Sequence, residues 1–380
     1  MNPWRRALLL AAALPLSARA DERTGERTDG GAEKRVPEPA DPVRRGRPLA
    51  FPRDHGAHPG SAIEWWYATG WAGDPAQPRW GWQITFFRAR TGLHADGGGR
   101  FAAPQLLFAH AAVTDLTRQR HHHAQRIVRW NGRPGAAPGA ASTTDGGVHI
   151  GRWSMQRQDL DGVSTWQARI DGEFELALLL RRTQPLLLQG DAGFSRKGPQ
   201  EAQASHYYSE PHLDTRMRVR LDGQAHEATG RGWLDQEWSD SLMHPEAVGW
   251  DWIGINLEDG AALTAFQLRR ADGSALWTGG SFRPSGGAAR VFGNGELRFT
   301  PLRHWTSPAT AARYPVQWQL DSPLGRFTID ALLDAQELDG RNSTGTLYWE
   351  GLTRLLDAGG RRVGLGYLEL TGYGQPLRLG

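Results

Sequence analysis

Apolar and polar residues alternate with a period of two over much of this chain, a period that suits a β-strand and not a helix. Residues 80–90 read WGWQITFFRAR, with Trp82, Ile84, Phe86 and Arg88 on one face and Gln83, Thr85 and Phe87 on the other. Residues 174–181 (FELALLLR) and 217–221 (MRVRL) have the same character. Asp222-Gly223, Asp259-Gly260 and Asp272-Gly273 fall between such runs, where Asp-Gly favours the positive φ of a tight turn. Helical periodicity is scarce, and 48 glycines and 23 prolines cut the chain into short segments. The pattern predicts an all-β chain, a barrel or a sandwich.

A weak internal repeat points to two barrels. Residues 64–73 (EWWYATGWAG) lead into WGWQITFFRARTG, and residues 249–260 (GWDWIGINLEDG) lead into AALTAFQLRRADG. Each is an aromatic-rich strand, a turn, and an alternating strand that reaches Arg before a second turn. A boundary near residue 235 gives an N-terminal domain over 49–235 and a C-terminal domain over 236–380. Either suits a small barrel that holds one ligand inside.

The start of the chain has a different composition. Arg5 and Arg6 precede the apolar run ALLLAAALPL, and Ala18-Arg19-Ala20 follows it. This is the order of a cleavable secretory signal over residues 1–20, and the run is too short to span a bilayer. It predicts a periplasmic or secreted protein exported by the Sec route, with the twin-arginine route as the lesser option. Residues 21–48 are charged and rich in Gly and Pro, so they are expected to form a disordered tether. The chain has no cysteine, which excludes disulfides and lipidation at Cys. No later apolar run suggests a transmembrane anchor, and a net charge of +3 without a basic stripe gives no sign of a nucleic-acid partner.

Familiar catalytic signatures are missing. There is no G-x-S-x-G, no H-E-x-x-H and no P-loop. His121-His122-His123 lies among arginines and is expected to be a solvated loop, so no metal and no cofactor are called. The 17 tryptophans exceed what two small barrels need for packing. Trp65, Trp66, Trp82, Trp233, Trp250 and Trp252 are candidates to line a cavity for a hydrophobic small molecule. Two segments interleave aromatic and ionisable residues: SHYYSEPH, with His206, Tyr207 and Tyr208, and GWLDQEWSD, with Trp233, Asp235, Glu237 and Trp238. Carboxyls among aromatics can stay protonated near neutral pH and act as acids. The alternative is a seam between barrels, where such carboxylates bond backbone and arginines. Asp235 shares a strand face with Trp233, and His206 shares one with Tyr208. Arg231 lies on the face of Trp233, and pairing with Asp235 would lower that acid's pKa.

EWWYATG (64–70), ITFFR (84–88), SHYYS (205–209), GWLDQEWS (232–239), GWDW (249–252), YWEG (348–351) and YLELTGY (367–373) resemble, in order, the AttH family. Its members are described as lipocalin-like or as secreted hydrolases, and the family is related to carotenoid 1,2-hydratase. The resemblance implies two lipocalin-like, calycin-type β-barrel domains and an isoprenoid or lipid ligand. By the same resemblance Asp235 would protonate a C=C bond, Trp233 and Tyr208 would stabilise the cation, and His206 would handle water. Tyr207, Glu237 and Trp238 would join the ligand-binding wall. A non-catalytic lipid or isoprenoid carrier and an envelope attachment protein are the alternatives.

Overall fold

The structure is a computed structural model that describes residues 42–91, 104–132, 138–241 and 243–377. The expected signal at 1–20 and the tether up to residue 41 lie outside the described residues. Residues 42–48 were also expected to be tether, but they are tied down. The backbone N–H of Val43 donates to Asp240 at 3.1 Å, Arg45 pairs with Asp191 and Glu201, and Arg47 pairs with Asp54. Val43 packs on the core together with Leu49. Ion pairs and one apolar side chain anchor this stretch, and its composition does not advertise them.

The described residues are almost wholly β. The one helical element among them is a 3-10 turn, Arg53–His55. No helix among the described residues is long and apolar enough to cross a membrane. Twenty-three strands form two antiparallel sheets, one of 13 strands and one of 10. In the first, β1 (Ile63–Gly73) pairs with β2 (Pro78–Arg90) on one side and with β13 (Gln224–Ser239) on the other. Strand β13 then pairs with β12 (Ala204–Leu221). In the second, β14 (Gly249–Leu257) pairs with β15 (Ala262–Arg269) and β23 (Arg362–Thr371), and β23 pairs with β22 (Leu347–Leu356). The repeated hairpins of the sequence are therefore equivalent. Each opens its sheet, and the last strand of that sheet returns to lie beside it. The change of sheet falls between Ser239 and Gly249, a few residues past 235, because β13 stays in the first sheet to its end.

Each sheet curls around its own core into a near-closed, lipocalin-like barrel. In the first sheet the edge strands β4 (Arg120–Trp130) and β5 (Gly139–Ala141) approach each other and share a core. Trp66, Trp82, Ile84, Phe86, Tyr208, Leu234 and Trp238 fill that interior. Ile253, Ile255, Trp318, Trp349 and Leu368 fill the second. Large aromatic side chains packed this way each contribute several kcal/mol, since Phe or Trp to Ala costs about 3–5 kcal/mol in a core. A third cluster, with Tyr67, Trp71, Trp233, Trp252, Phe266 and Tyr367, joins the outer faces of the barrels. Several tryptophans occupy the barrel interiors, Trp66, Trp82 and Trp238 in the first and Trp318 and Trp349 in the second. The cavity lies between the barrels.

His121-His122-His123 is not a loop. It belongs to β4, where Thr114 Oγ1 lies 2.9 Å from His121 Nδ1. The flanking arginines suggested solvent, but strand pairing with β3 (Gln105–Asp115) covers this stretch in part.

Candidate functional site

Register decides which side chains meet. Across β1, β13 and β12, Tyr67 faces Asp235 and Asp235 faces Ser209, while Trp65 faces Glu237 and Glu237 faces Tyr207. From Ser205 to Ser209 of β12, and along the facing stretches of β1 and β13, odd-numbered residues therefore share the outer face of the first barrel; past the irregularity at Glu210–Leu213 the odd residues of β12 turn inward. In the second barrel Trp252 faces Glu369 and Phe266, and Glu369 faces Glu350. The two outer faces enclose a cavity of about 490 Å³. That volume is typical of a small-molecule site. Trp65, Tyr67, Phe87, Phe108, Tyr207, Trp250, Trp252, Phe266 and Tyr348 give it an aromatic wall. Gly254 helps to seat the wall. A Cβ there would come within 2.5 Å of the Trp252 ring and 3.0 Å of Trp233.

Asp235 is the most constrained polar group in the cavity. Its Oδ1 accepts from Ser209 Oγ at 2.6 Å and from Trp233 Nε1 at 2.7 Å, and its Oδ2 accepts from Tyr207 Oη at 2.5 Å. Neighbours from both halves of the molecule orient those donors. Trp252 Nε1 donates to Tyr207 Oη at 3.0 Å, so that hydroxyl turns its own proton to Asp235. Gln189 Nε2 donates to Ser209 Oγ at 2.8 Å, and Ser281 holds Gln189 from the other side. Two acceptor positions of Oδ1 are filled, so an acidic proton belongs on Oδ2.

Burial drives the carboxyl toward its neutral form. The three donors oppose this, Glu237 reinforces it, and the pKa stands at about 7. Arg231, which could have reversed the balance, pairs with Asp214. Lys197 pairs with Glu237 at 3.0 Å.

The facing wall carries two more acids. Glu350 and Glu369 are direct cross-strand neighbours, so their Cβ atoms are only ~5 Å apart. Burial raises both, Glu369 to about 8 and Glu350 well above the carboxylate range; the charge of Glu369 raises Glu350 further, and those of Asp235, Glu237 and Asp251 raise Glu369. Trp250 Nε1 donates to Glu369 at 3.0 Å.

With this geometry in place, the relatives can be compared. A family model described as AttH-like matches residues 42–373. The chain belongs to the AttH-like family. An AttH crystal structure from Nitrosomonas europaea is 41% identical, covering 88% of this chain and 99% of that one, with a TM-score of 0.79. Kievitone hydratase from Nectria haematococca is similar at 15% identity, covering 89% and 97%, with a TM-score of 0.65. CghA with Sch210972 is similar at 14% identity, covering 84% and 89%, with a TM-score of 0.50. The last two likenesses are of fold. None of the curated proteins matches the chain.

For this AttH-like chain the residues nominated from sequence divide cleanly. Trp65, Tyr207, Asp235, Glu237, Trp250 and Trp252 line the cavity. Trp233 does not line it but donates to Asp235 from the same face. Trp66, Trp82 and Trp238 are inside the first barrel. Trp66 donates there to the carbonyl of His55.

His206 and Tyr208 share a face, as expected, but it is the opposite face from Asp235. Tyr208 donates to Gln236 Oε1 at 2.6 Å, and His206 lies 5.5 Å from the Trp238 ring. Each pair obeyed the two-residue rule; what sequence lacked was the register between β12 and β13, which pairs odd with odd from Ser205 to Glu210. Glu350, Glu369, Tyr67 and Lys197 were missed. Glu350 and Glu369 stand inside YWEG and YLELTGY, and the alternation of those segments would have put each acid on the face of its neighbouring aromatics.

Proposed function

We propose that this protein binds an uncharged hydrophobic molecule, an isoprenoid or a lipid, between its barrels and hydrates it by acid catalysis. The observation that carries the proposal is Asp235: a carboxyl with a pKa of about 7 and no paired cation, lining an aromatic cavity. Such a group is half protonated near neutral pH, which suits a general acid. Asp235 Oδ2–H gives its proton to one carbon of a C=C bond. Positive charge develops on the other carbon, against the faces of Trp65, Tyr207 and Trp252. Water adds there and loses a proton, and Asp235 regains one. The fold shared with kievitone hydratase, a protein named for this class of reaction, agrees with the proposal. Trp233, Tyr207 and Ser209 hold the acid, and the cation-stabilising role expected of Tyr208 passes to the cavity-lining Trp65, Tyr207 and Trp252.

Export is part of the same proposal. The h-region at residues 7–16 and Ala18-Arg19-Ala20 imply cleavage after Ala20, and N-terminal sequencing of envelope material should start at Asp21. Intact Met1 on a cytoplasmic product would remove it.

The chemistry is tested by incubating the protein with an envelope lipid extract and following, by mass spectrometry, products that have gained one water. Asp235→Asn keeps shape but carries no acidic proton, so product formation should fall by about 10²-fold or more. Full activity of that variant would overturn the acid role. A compound that co-purifies with the wild type and is never converted would make the protein a carrier.

A further inference from the structure

The wall opposite Asp235 holds polar groups that the hydration step leaves unused. Glu350 Oε2, Tyr67 Oη and Tyr348 Oη have no hydrogen-bond partner. Their residues are 3%, 4% and 4% exposed, and all three line the cavity. Leaving such groups unpaired is expensive, about 1–3 kcal/mol each and more for a charged one. Protein cores avoid that loss, whereas binding sites accept it and recover it from the ligand.

We infer that Glu350 and Glu369 form a proton-holding carboxyl pair that, with Tyr67 and Tyr348, seats a hydroxyl group of the ligand. This rests on the ligand site proposed above and narrows its occupant to an uncharged, hydroxyl-bearing apolar molecule. Two adjacent buried carboxyls cannot both ionise, so the pair keeps at least one proton. The directions of their pKa values agree, since burial and then mutual repulsion raise Glu350. Trp250 Nε1–H engages Glu369, while Glu350 Oε2 is buried without a donor.

The groups facing the pair set its preference. Asp235 and Glu237 approach from β13, Tyr67 from β1, Tyr367 from β23 and Tyr348 from β22; Lys197 is engaged with Glu237. A carboxylate ligand would face the acids Asp235, Glu237, Glu350 and Glu369, with Lys197 already engaged by Glu237. A pure hydrocarbon would leave the acceptor empty. A hydroxyl donates to Glu350 and accepts from a tyrosine.

Three probes with one skeleton test this: farnesol, farnesene and farnesoic acid, titrated against the tryptophan fluorescence of the full chain. Farnesol should bind about tenfold or more tighter than farnesene, and farnesoic acid weakest. In Glu350→Leu farnesol should fall to the level of farnesene, while farnesoic acid gains. Tyr67→Phe, which removes only an oxygen, should lower the farnesol preference without changing farnesene binding. Tyr208→Phe, a change inside the first barrel and away from the cavity, should keep the wild-type preference.

Equal binding of farnesol and farnesene by the wild type would overturn the hydroxyl seat and leave the apolar-ligand proposal standing. So would a preference that is kept in Glu350→Leu, which would place the hydroxyl away from the carboxyl pair. Failure of all three probes to bind would overturn both proposals.

Discussion

The two faces of the β1–β13–β12 ribbon bury acids of the same kind under opposite electrostatics. On the inner face Glu64 accepts from Arg88 Nε at 3.0 Å and from the His58 backbone N–H at 2.8 Å, and it lies 2.6 Å from His58 Nδ1. His58 stacks on Trp238 with centroids 3.6 Å apart. Burial alone would raise Glu64, but His58 and Arg88 hold it below the usual carboxylate range. On the outer face Asp235 is as deeply buried and receives three hydrogen bonds, all from neutral donors, and its pKa rises to about 7. Burial with a cation makes a structural ion. Burial with neutral donors makes a carboxyl that can hold a proton at working pH.

The largest effect should come from breaking the inner pair. Arg88→Met leaves Glu64 buried without its guanidinium, and chemical unfolding should show a loss of about 3–5 kcal/mol. Asp235→Asn, which removes a carboxyl that has no cation partner, should lose much less at neutral pH. Equal losses would mean that the two faces are not electrostatically distinct.

The pH dependence of Asp235 sharpens the contrast. Its folded pKa of about 7 lies above the ordinary 3.8. Below about pH 4 both states are protonated and the group is neutral to stability. As pH rises, only the unfolded chain gains by ionising. The wild type therefore loses stability from about pH 4 to about pH 7, by ~1.4 kcal/mol per unit, and the loss then levels off. Glu369 adds a similar loss that extends to about pH 8. Asp235→Asn should escape its share, so its stability relative to wild type should improve by a few kcal/mol between pH 4 and pH 8. A flat difference would place Asp235 among the ionised groups, with Glu64.

Much of this was legible in the chain. The period of two and the Asp-Gly turns announced the strands, and the EWWYATG and GWDWIGI segments announced two equivalent hairpins. Asp235 stood out because it lies among tryptophans. What a single strand cannot disclose is its partner's register: shifting β12 by one residue against β13 would exchange Tyr207 for Tyr208 beside the acid. Nor does one strand tell which side of a curled sheet is its interior. That is why Trp66 and Trp82 looked like cavity residues, and why Glu350 and Glu369, each alone in an aromatic segment, gave no sign that they meet.

The smallest effects come from the neighbours Tyr207 and Tyr208, and they probe the contrast most directly. Both are fully buried tyrosines on β12, one residue apart, and each donates to a side chain of β13. Tyr208→Phe removes a hydroxyl that bonds Gln236 and lies 2.6 Å from His55 Nδ1, inside the first barrel. It should cost about 1–3 kcal/mol in unfolding experiments. Binding of farnesol and the pH dependence of stability should both stay as in the wild type. Tyr207→Phe should cost a comparable amount, but it strips Asp235 Oδ2 of its donor and Trp252 Nε1 of its acceptor. Because that hydrogen bond favours the ionised form, its loss should push the Asp235 pKa higher and carry the pH-dependent loss of stability to higher pH. Removal of one oxygen atom is thus expected to shift the titration on one face of the strand and leave it untouched on the other. If Tyr208→Phe moved the titration instead, the register that puts Asp235 at the cavity would be wrong, and the pairing of His206 and Tyr208 with the acid would be restored.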